Sequence, residues 1–265
     1  MRSAIALLGL RSIVAATLTL IGVPTLVALG VLGPWSPWAL ERADRTARSG
    51  AVDEALVAYQ QIARYSPWDA DCADALLRAA VLAEADNRPQ RANALLRRFQ
   101  ERWPDHPRAA EAMARRGRVV ATALRDPTRG ARLLRDAADL DPHHPDVVAW
   151  RLEAALHAEA AGAERLAWLD LEQIAREHPD DAPRAWLAMA RMRLAGGDPS
   201  GAQVLYQRVL DTGTVTEADE TLARLGLSIC LEDLGDAEGA AAVAEAGALD
   251  VRRDRVLHRH EARSR

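Results

Sequence analysis

Polar and apolar positions divide this chain near its start. Between Ser12 and Trp38 there is no charged residue, and 13–32 reads IVAATLTLIGVPTLVALGVL, about the length a helix needs to cross a bilayer. The pattern predicts a transmembrane helix over 12–32, inside an N-terminal anchor segment 1–40. Pro24 would kink that helix mildly, and Gly22 and Gly30 would admit a close neighbour. In the GPWSPW that follows, Trp35 and Trp38 fall where interfacial aromatic anchors sit. A cleavable secretory signal is the competing reading, with Arg2 and Arg11 as its basic start and Ala28-Leu29-Gly30 as its cleavage site; the apolar stretch exceeds the usual signal core.

Beyond Glu41 the apolar positions recur at helical spacing, broken about every 17 to 20 residues by Gly, Pro or Asp. A pattern interrupted so regularly calls for a search for repeats. A small residue, a large apolar residue four later and a proline twelve after the small one recur together. The sets are Ala55, Tyr59 and Pro67; Ala92, Leu96 and Pro104; Gly130, Leu134 and Pro142; and Ala167, Leu171 and Pro179. Two further copies start at Ala202 with Tyr206 and at Ala240 with Ala244, and lack the proline. Successive small residues are separated by 37, 38, 37, 35 and 38 positions.

The physical reason for such a set lies in helix packing. Two helices of a hairpin approach closely only where the crossing residue is small, and a large residue one turn on fills the groove. Proline then stops the second helix and re-aims the chain. Asp126-Pro127 and Asp198-Pro199 read as helix caps followed by proline in the first turn, while Gly50, Gly162, Gly197 and Gly235 mark the turns between paired helices.

The run AWLAMARMRLAGGDPSGAQVLYQRVLD, 185–211, resembles a tetratricopeptide repeat. Trp186, Met189, Ala190, Ala202 and Tyr206 occupy family-pattern positions, with Arg193 in place of the usual Tyr. A second copy begins at Leu222, and the first four units match mainly in their second helices. The resemblance covers roughly 41–249. It implies an all-α fold, a right-handed α-solenoid of about six helical hairpins over 41–250, followed by a basic tail 251–265. It also implies a concave groove that binds protein partners. Members that grip a terminal carboxylate use Lys and Asn, and those that clamp extended backbone use Asn ladders. Here there is no Lys, and Asn87 and Asn93 are the only Asn, so the resemblance points to an amphipathic helix or a folded partner in the groove.

Composition narrows the function further. Hydrophobic residues make up 49% of the 265, enough for a real core, and the net charge of -4 argues against a nucleic-acid partner. Arg supplies every basic side chain. The tail VRRDRVLHRHEARSR carries six Arg against Asp254 and Glu261 and either caps the solenoid in solvent or touches anionic lipid or an acidic partner. Cys72 and Cys230 read as buried small hydrophobes. His143 and His144 in DPHHPD have no further ligand at metal-site spacing, so no metal is expected. With no glycine-rich phosphate loop, HExxH, GxSxG or CxxC, the chain is expected to have no cofactor and no enzymatic activity.

These readings converge on a membrane-tethered scaffold or adaptor that recruits or positions components of an envelope assembly (biogenesis, secretion or polysaccharide export). The alternative is a chaperone-like holder of unfolded or apo-protein clients at the membrane, as in cytochrome c maturation or translocon quality control. Localisation is expected at the inner membrane, single-pass with a periplasmic domain; signal cleavage would instead release the chain into the periplasm. Basic residues flank both ends of 12–32, so the charge asymmetry that sets orientation does not decide the side.

Overall fold

The computed structural model describes residues 38–65, 69–213 and 215–246. The expected membrane helix at 12–32, Trp35, Pro67 and the tail 251–265 lie outside them. Among the described residues all regular structure is helical, and no helix is long and apolar enough to cross a membrane.

Two compact units divide the chain, one up to Asp126 and one from Pro127. The first contains α1 (Ala39–Arg48), α2 (Val52–Tyr65), α3 (Asp69–Ala85), α4 (Pro89–Arg102) and α5 (Ala109–Arg118), the last running into a π turn at Val119–Ala123. Each helix packs on the next, around a core that includes Leu56, Tyr59, Ile62, Leu76, Leu96 and Phe99. The second unit contains α6 (Pro127–Leu140), α7 (Val147–Ala160), α8 (Glu164–Glu177), α9 (Ala182–Ala195), α10 (Pro199–Asp211), α11 (Glu217–Asp233) and α12 (237–246). It too is a succession of packed neighbours, with Trp150, Leu134, Leu171, Ile174 and Val209 among its fully buried side chains.

One backbone device recurs along both units. A residue with positive φ follows α1, α3, α5, α7, α9 and α11: Gly50 (85°), Asn87 (54°), Arg125 (57°), Gly162 (73°), Gly197 (77°) and Gly235 (85°). Their separations are the same 37, 38, 37, 35 and 38 that separate the small residues, and each stands five positions ahead of one of them. Around Gly162 the geometry is a Schellman turn. The Gly162 N–H donates to the Glu159 carbonyl at 2.9 Å and the Ala163 N–H to the Ala158 carbonyl at 2.8 Å, so the last carbonyls of α7 are satisfied as the chain reverses. The same pair of bonds recurs at Asn87–Arg88, Gly197–Asp198 and Gly235–Asp236.

Helix α5 departs from the spacing seen in the other odd-numbered helices by one residue. Ala43, Ala80, Ala155, Ala190 and Ser228 are buried and precede their left-handed residue by seven positions; in α5 the buried Gly117 precedes Arg125 by eight. The π turn absorbs the extra residue. There the Leu124 N–H donates to the Val119 carbonyl, five back, and the Asp126 N–H to the Val120 carbonyl, six back, both at 3.0 Å.

Capping completes the second helices of the later hairpins. The Asp198 carboxylate accepts from the Gly201 N–H at 2.8 Å ahead of Pro199, and Asp236 accepts from the Gly239 N–H at 2.9 Å. Thr216 Oγ1 caps α11 by accepting from the Asp219 N–H at 3.2 Å.

At Gly226 of α11 the neighbouring helix comes close. A Cβ there would lie 2.2 Å from Cζ of Tyr206 on α10, far inside contact distance. Gly226→Ala is therefore expected to lower stability by about 1–3 kcal/mol through overpacking. A Cβ at Gly162 would meet nothing within 4 Å. Gly162→Ala should thus lose only the backbone cost of an alanine at positive φ, about 1 kcal/mol. Denaturant midpoints of the two variants test both values.

Candidate functional site

The small and large apolar residues singled out by the repeat pattern are buried, and its prolines among the described residues are not. Ala55, Ala92, Ala167, Ala190 and Ala202 have no exposed surface, Ala240 and Gly130 are buried, and Tyr59, Leu96, Leu134, Leu171 and Tyr206 are buried beside them. Pro104, Pro142 and Pro179 are exposed in the turns after α4, α6 and α8. Trp186 is half-buried, with the Arg208 guanidinium 4.1 Å from its ring centroid, and Trp38 stands 53% exposed at the head of α1. Burial pushes the Tyr206 phenol above its ordinary range. Tyr59 is raised further, by burial and by the hydrogen bond its hydroxyl donates to Asp44 Oδ1 at 2.6 Å. These are packing positions, so a docking surface has to be sought elsewhere.

The odd-numbered helices supply it, and the two units differ. In the first unit they carry charge that is paired internally. Arg78 of α3 bridges to Asp44 of α1, and also to Asp74 at 3.7 Å within its own helix. Arg108, at the head of α5, reaches Asp74 at 3.5 Å and takes Glu111 in two contacts of 2.8 and 3.1 Å. Arg115 of α5 donates to Glu84 of α3 at 3.2 Å. Burial raises the Glu84 carboxyl pKa against the lowering pull of Arg115.

In the second unit the odd-numbered helices are apolar on a face that nothing among the described residues covers. Leu156 of α7 is 49% exposed, and Leu222, Leu225 and Ile229 of α11 are 56%, 57% and 40% exposed. A cavity of about 400 Å3 opens here, lined by Leu152 and Leu156 of α7, Leu187, Ala188 and Met192 of α9, and Leu222 of α11, with Leu171 of α8 beneath. Its polar lining consists of Glu153, Glu159, Arg184, Arg191 and Asp219, and Arg191 pairs with Glu159 at 2.5 Å.

Beneath this face the helices are held by buried charge. Arg135 of α6 donates two hydrogen bonds of 2.7 Å to the buried carboxylate of Asp170 on α8. The buried Arg151 of α7 donates to Gln173 of α8 at 2.7 Å and to Asp139 of α6 at 2.9 Å. A bidentate guanidinium–carboxylate pair fixes orientation as well as distance, so α8 is pinned to α6.

The other candidates resolve into structure. Cys72 and Cys230 are buried free thiols, and burial raises the pKa of the latter. His144 stacks on Trp150 at 4.3 Å between centroids, and its Nδ1 accepts from the Asp146 N–H at 3.0 Å. His106 does the same for the Arg108 N–H at 3.1 Å, in the turn one repeat earlier. Among the described residues no three His, Cys, Asp or Glu gather as a metal would require.

Comparison with known proteins assigns the architecture. Residues 74–106 and 187–251 match tetratricopeptide-repeat family models. Repeats of this kind are protein-interaction modules and generally non-enzymatic. Among solved structures, BtubC (BKLC) from P. vanneervenii is similar at 16% identity and a TM-score of 0.55, over 83% of this chain and 92% of that one. A putative kinesin light chain from Podosopora anserina, with nearly identical TPR-like repeats, is similar at 19% identity and 0.50, over 66% and 93%. PilW, a type IV pilus biogenesis factor, is similar at 19% and 0.49, over 79% and 91%. At these identities the likeness to the first two is one of fold. No curated protein sequence matches this chain.

The repeat pattern pointed to buried positions and passed over Leu152, Leu156, Leu187, Leu222, Leu225 and Ile229. The sequence does carry a signal for them. The helices α7, α9 and α11 are apolar on more than the one stripe a core needs, and that excess marks a second packed or docking face. Leu222→Asp and Leu225→Asp are expected to shift stability by no more than about 0.5 kcal/mol, since neither side chain supports the core. Ala202→Leu, by contrast, should cost about 1–3 kcal/mol. Thermal melts of the three variants distinguish docking face from core.

Proposed function

We propose that this chain is a membrane-tethered scaffold that binds protein partners on the apolar face of α7, α9 and α11 and positions them within an envelope-associated assembly. The observation that carries this reading is the contrast between units. In the first, Arg78, Arg108 and Arg115 pair with carboxylates between odd-numbered helices; in the second, beside the single pair Arg191–Glu159, α7 and α11 present half-exposed leucines at a cavity. Apolar side chains grouped on one face serve association, since single scattered ones need no explanation and a lined patch does.

The tether rests on the uncharged stretch 12–32 with Trp35 and Trp38 after it. Fixing the repeats to a bilayer confines them with any partner in the same membrane and raises its effective concentration without a new contact. The reading places the anchor in the inner membrane and the repeats on the periplasmic side.

Photocrosslinking tests both partner and face. With a photoreactive residue at Leu225 in intact membranes, one or two defined proteins are expected at a fixed ratio, and the signal should vanish in Leu222→Asp. A broad set of weakly held apolar clients would instead select the holder function, and recovery of no protein would remove the scaffold reading. Sealed inner-membrane vesicles test the tether. The chain should resist alkaline extraction, and its repeats should be protected from added protease in inside-out vesicles; cleavage of the repeats there would place them on the cytoplasmic side.

A further inference from the structure

We infer that the occupant of the apolar face is an amphipathic α-helix with a basic end, held with that end over the N-terminal ends of α9 and α11. The inference rests on the interaction reading above and specifies the chemistry of its partner.

The lining of the cavity decides between a helical and an extended ligand. Every polar side chain around it is ionised in character, carboxylate or guanidinium, and no side-chain amide or hydroxyl lines it. Arg191 is already engaged by Glu159 at 2.5 Å. An extended segment laid across Leu152, Leu156, Leu187 and Leu222 would set N–H and C=O groups against hydrocarbon, where the leucines offer no donor or acceptor and only the charged side chains of the lining could take a few of them. A helix closes those bonds internally and presents only side chains. Its apolar residues at i, i+3 or i+4, and i+7 form the stripe that such a face accepts.

Charge supplies the direction. A second cavity, of about 420 Å3, shares Arg184 and Asp219 with the first, so the two are continuous at that edge. Its charged lining is Asp180, Asp181 and Asp219 against the single guanidinium of Arg184, which lies 3.4 Å from Asp181. Part of this acidity serves capping, since Asp219 accepts from Thr216 Oγ1 at 2.8 Å. Two carboxylates remain in excess at the open edge of an apolar cavity, and an Arg or Lys on the partner helix neutralises them. An acidic helix would add like charge there.

Selection on the full-length chain in mild detergent tests this, using two displayed peptide libraries: one on a stable single-helix scaffold, the other of linear random peptides. Enrichment is expected from the helical library, with an apolar stripe and Arg or Lys clustered at one end. Fluorescence anisotropy should show about tenfold or greater weakening by Leu187→Glu or Leu222→Glu. The double variant Asp180→Asn/Asp181→Asn should weaken the basic peptides, leave their Gln-substituted counterparts unchanged, and lose its effect at high salt. Enrichment of linear or acidic peptides alone overturns the inference while leaving the scaffold reading intact. So does self-association of the chain that Leu222→Glu abolishes, because a second copy would then be the occupant. If neither library yields a ligand sensitive to Leu222→Glu and photocrosslinking also recovers no protein, both fall together.

Discussion

The second unit depends on how closely one helix can lie against the next. At Gly226 the ring of Tyr206 occupies the space a Cβ would need. Dispersion forces decline steeply once packed surfaces separate, so a contact of this kind holds only if the chain supplies no side chain on one of its sides. The buried alanines of the hairpins obey the same limit in milder form. The half-exposed Leu156 of α7 and Leu222 and Leu225 of α11 stand outside that packing and add little to folding. They are left over for association.

Unlike outcomes follow from like backbones. Both units are built from helical hairpins with the same left-handed turn, yet the exposed sides of their odd-numbered helices hold different chemistry. Around Arg78 and Arg108 each guanidinium finds carboxylates on its own and a neighbouring helix. Exposed pairs of this kind contribute little each, about 0–1 kcal/mol. Around Leu156 and Leu222 a single such pair between odd-numbered helices, Arg191–Glu159, lines the cavity, and Arg184 and Asp219 mark the edge of a patch whose centre is hydrocarbon. Below it, the Arg135–Asp170 and Arg151–Asp139 contacts keep three helices in register, so the face is presented on a rigid support.

Much of the fold could be read from residues alone, because glycines and small residues report backbone geometry directly. Gly50, Gly162, Gly197 and Gly235 announce turns that the structure shows at positive φ. Asn87 and Arg125 do the same work without announcing it. Asn tolerates the left-handed region through its short polar side chain, while arginine there is an uncommon choice that no propensity argument would suggest. The π turn was equally hidden, since one extra residue within a helix leaves hydrophobic periodicity nearly intact. The site was the least legible part. A leucine exposed on a helix and a leucine buried in it look alike until the neighbours are known, so the repeat pattern led to Ala202 and Tyr206 and away from Leu222 and Leu225.

The paired charges of the first unit and the bare hydrocarbon of the second also answer oppositely to the ionic medium. Dissolved ions screen attraction between exposed guanidinium and carboxylate groups, so brine loosens the lattice around Asp44, Asp74 and Glu84. Strongly hydrated salts such as sulfate strengthen the tendency of Leu156, Leu222 and Leu225 to leave water. One polypeptide thus joins ion pairs that concentrated sulfate loosens to an apolar face that the same salt makes more adhesive.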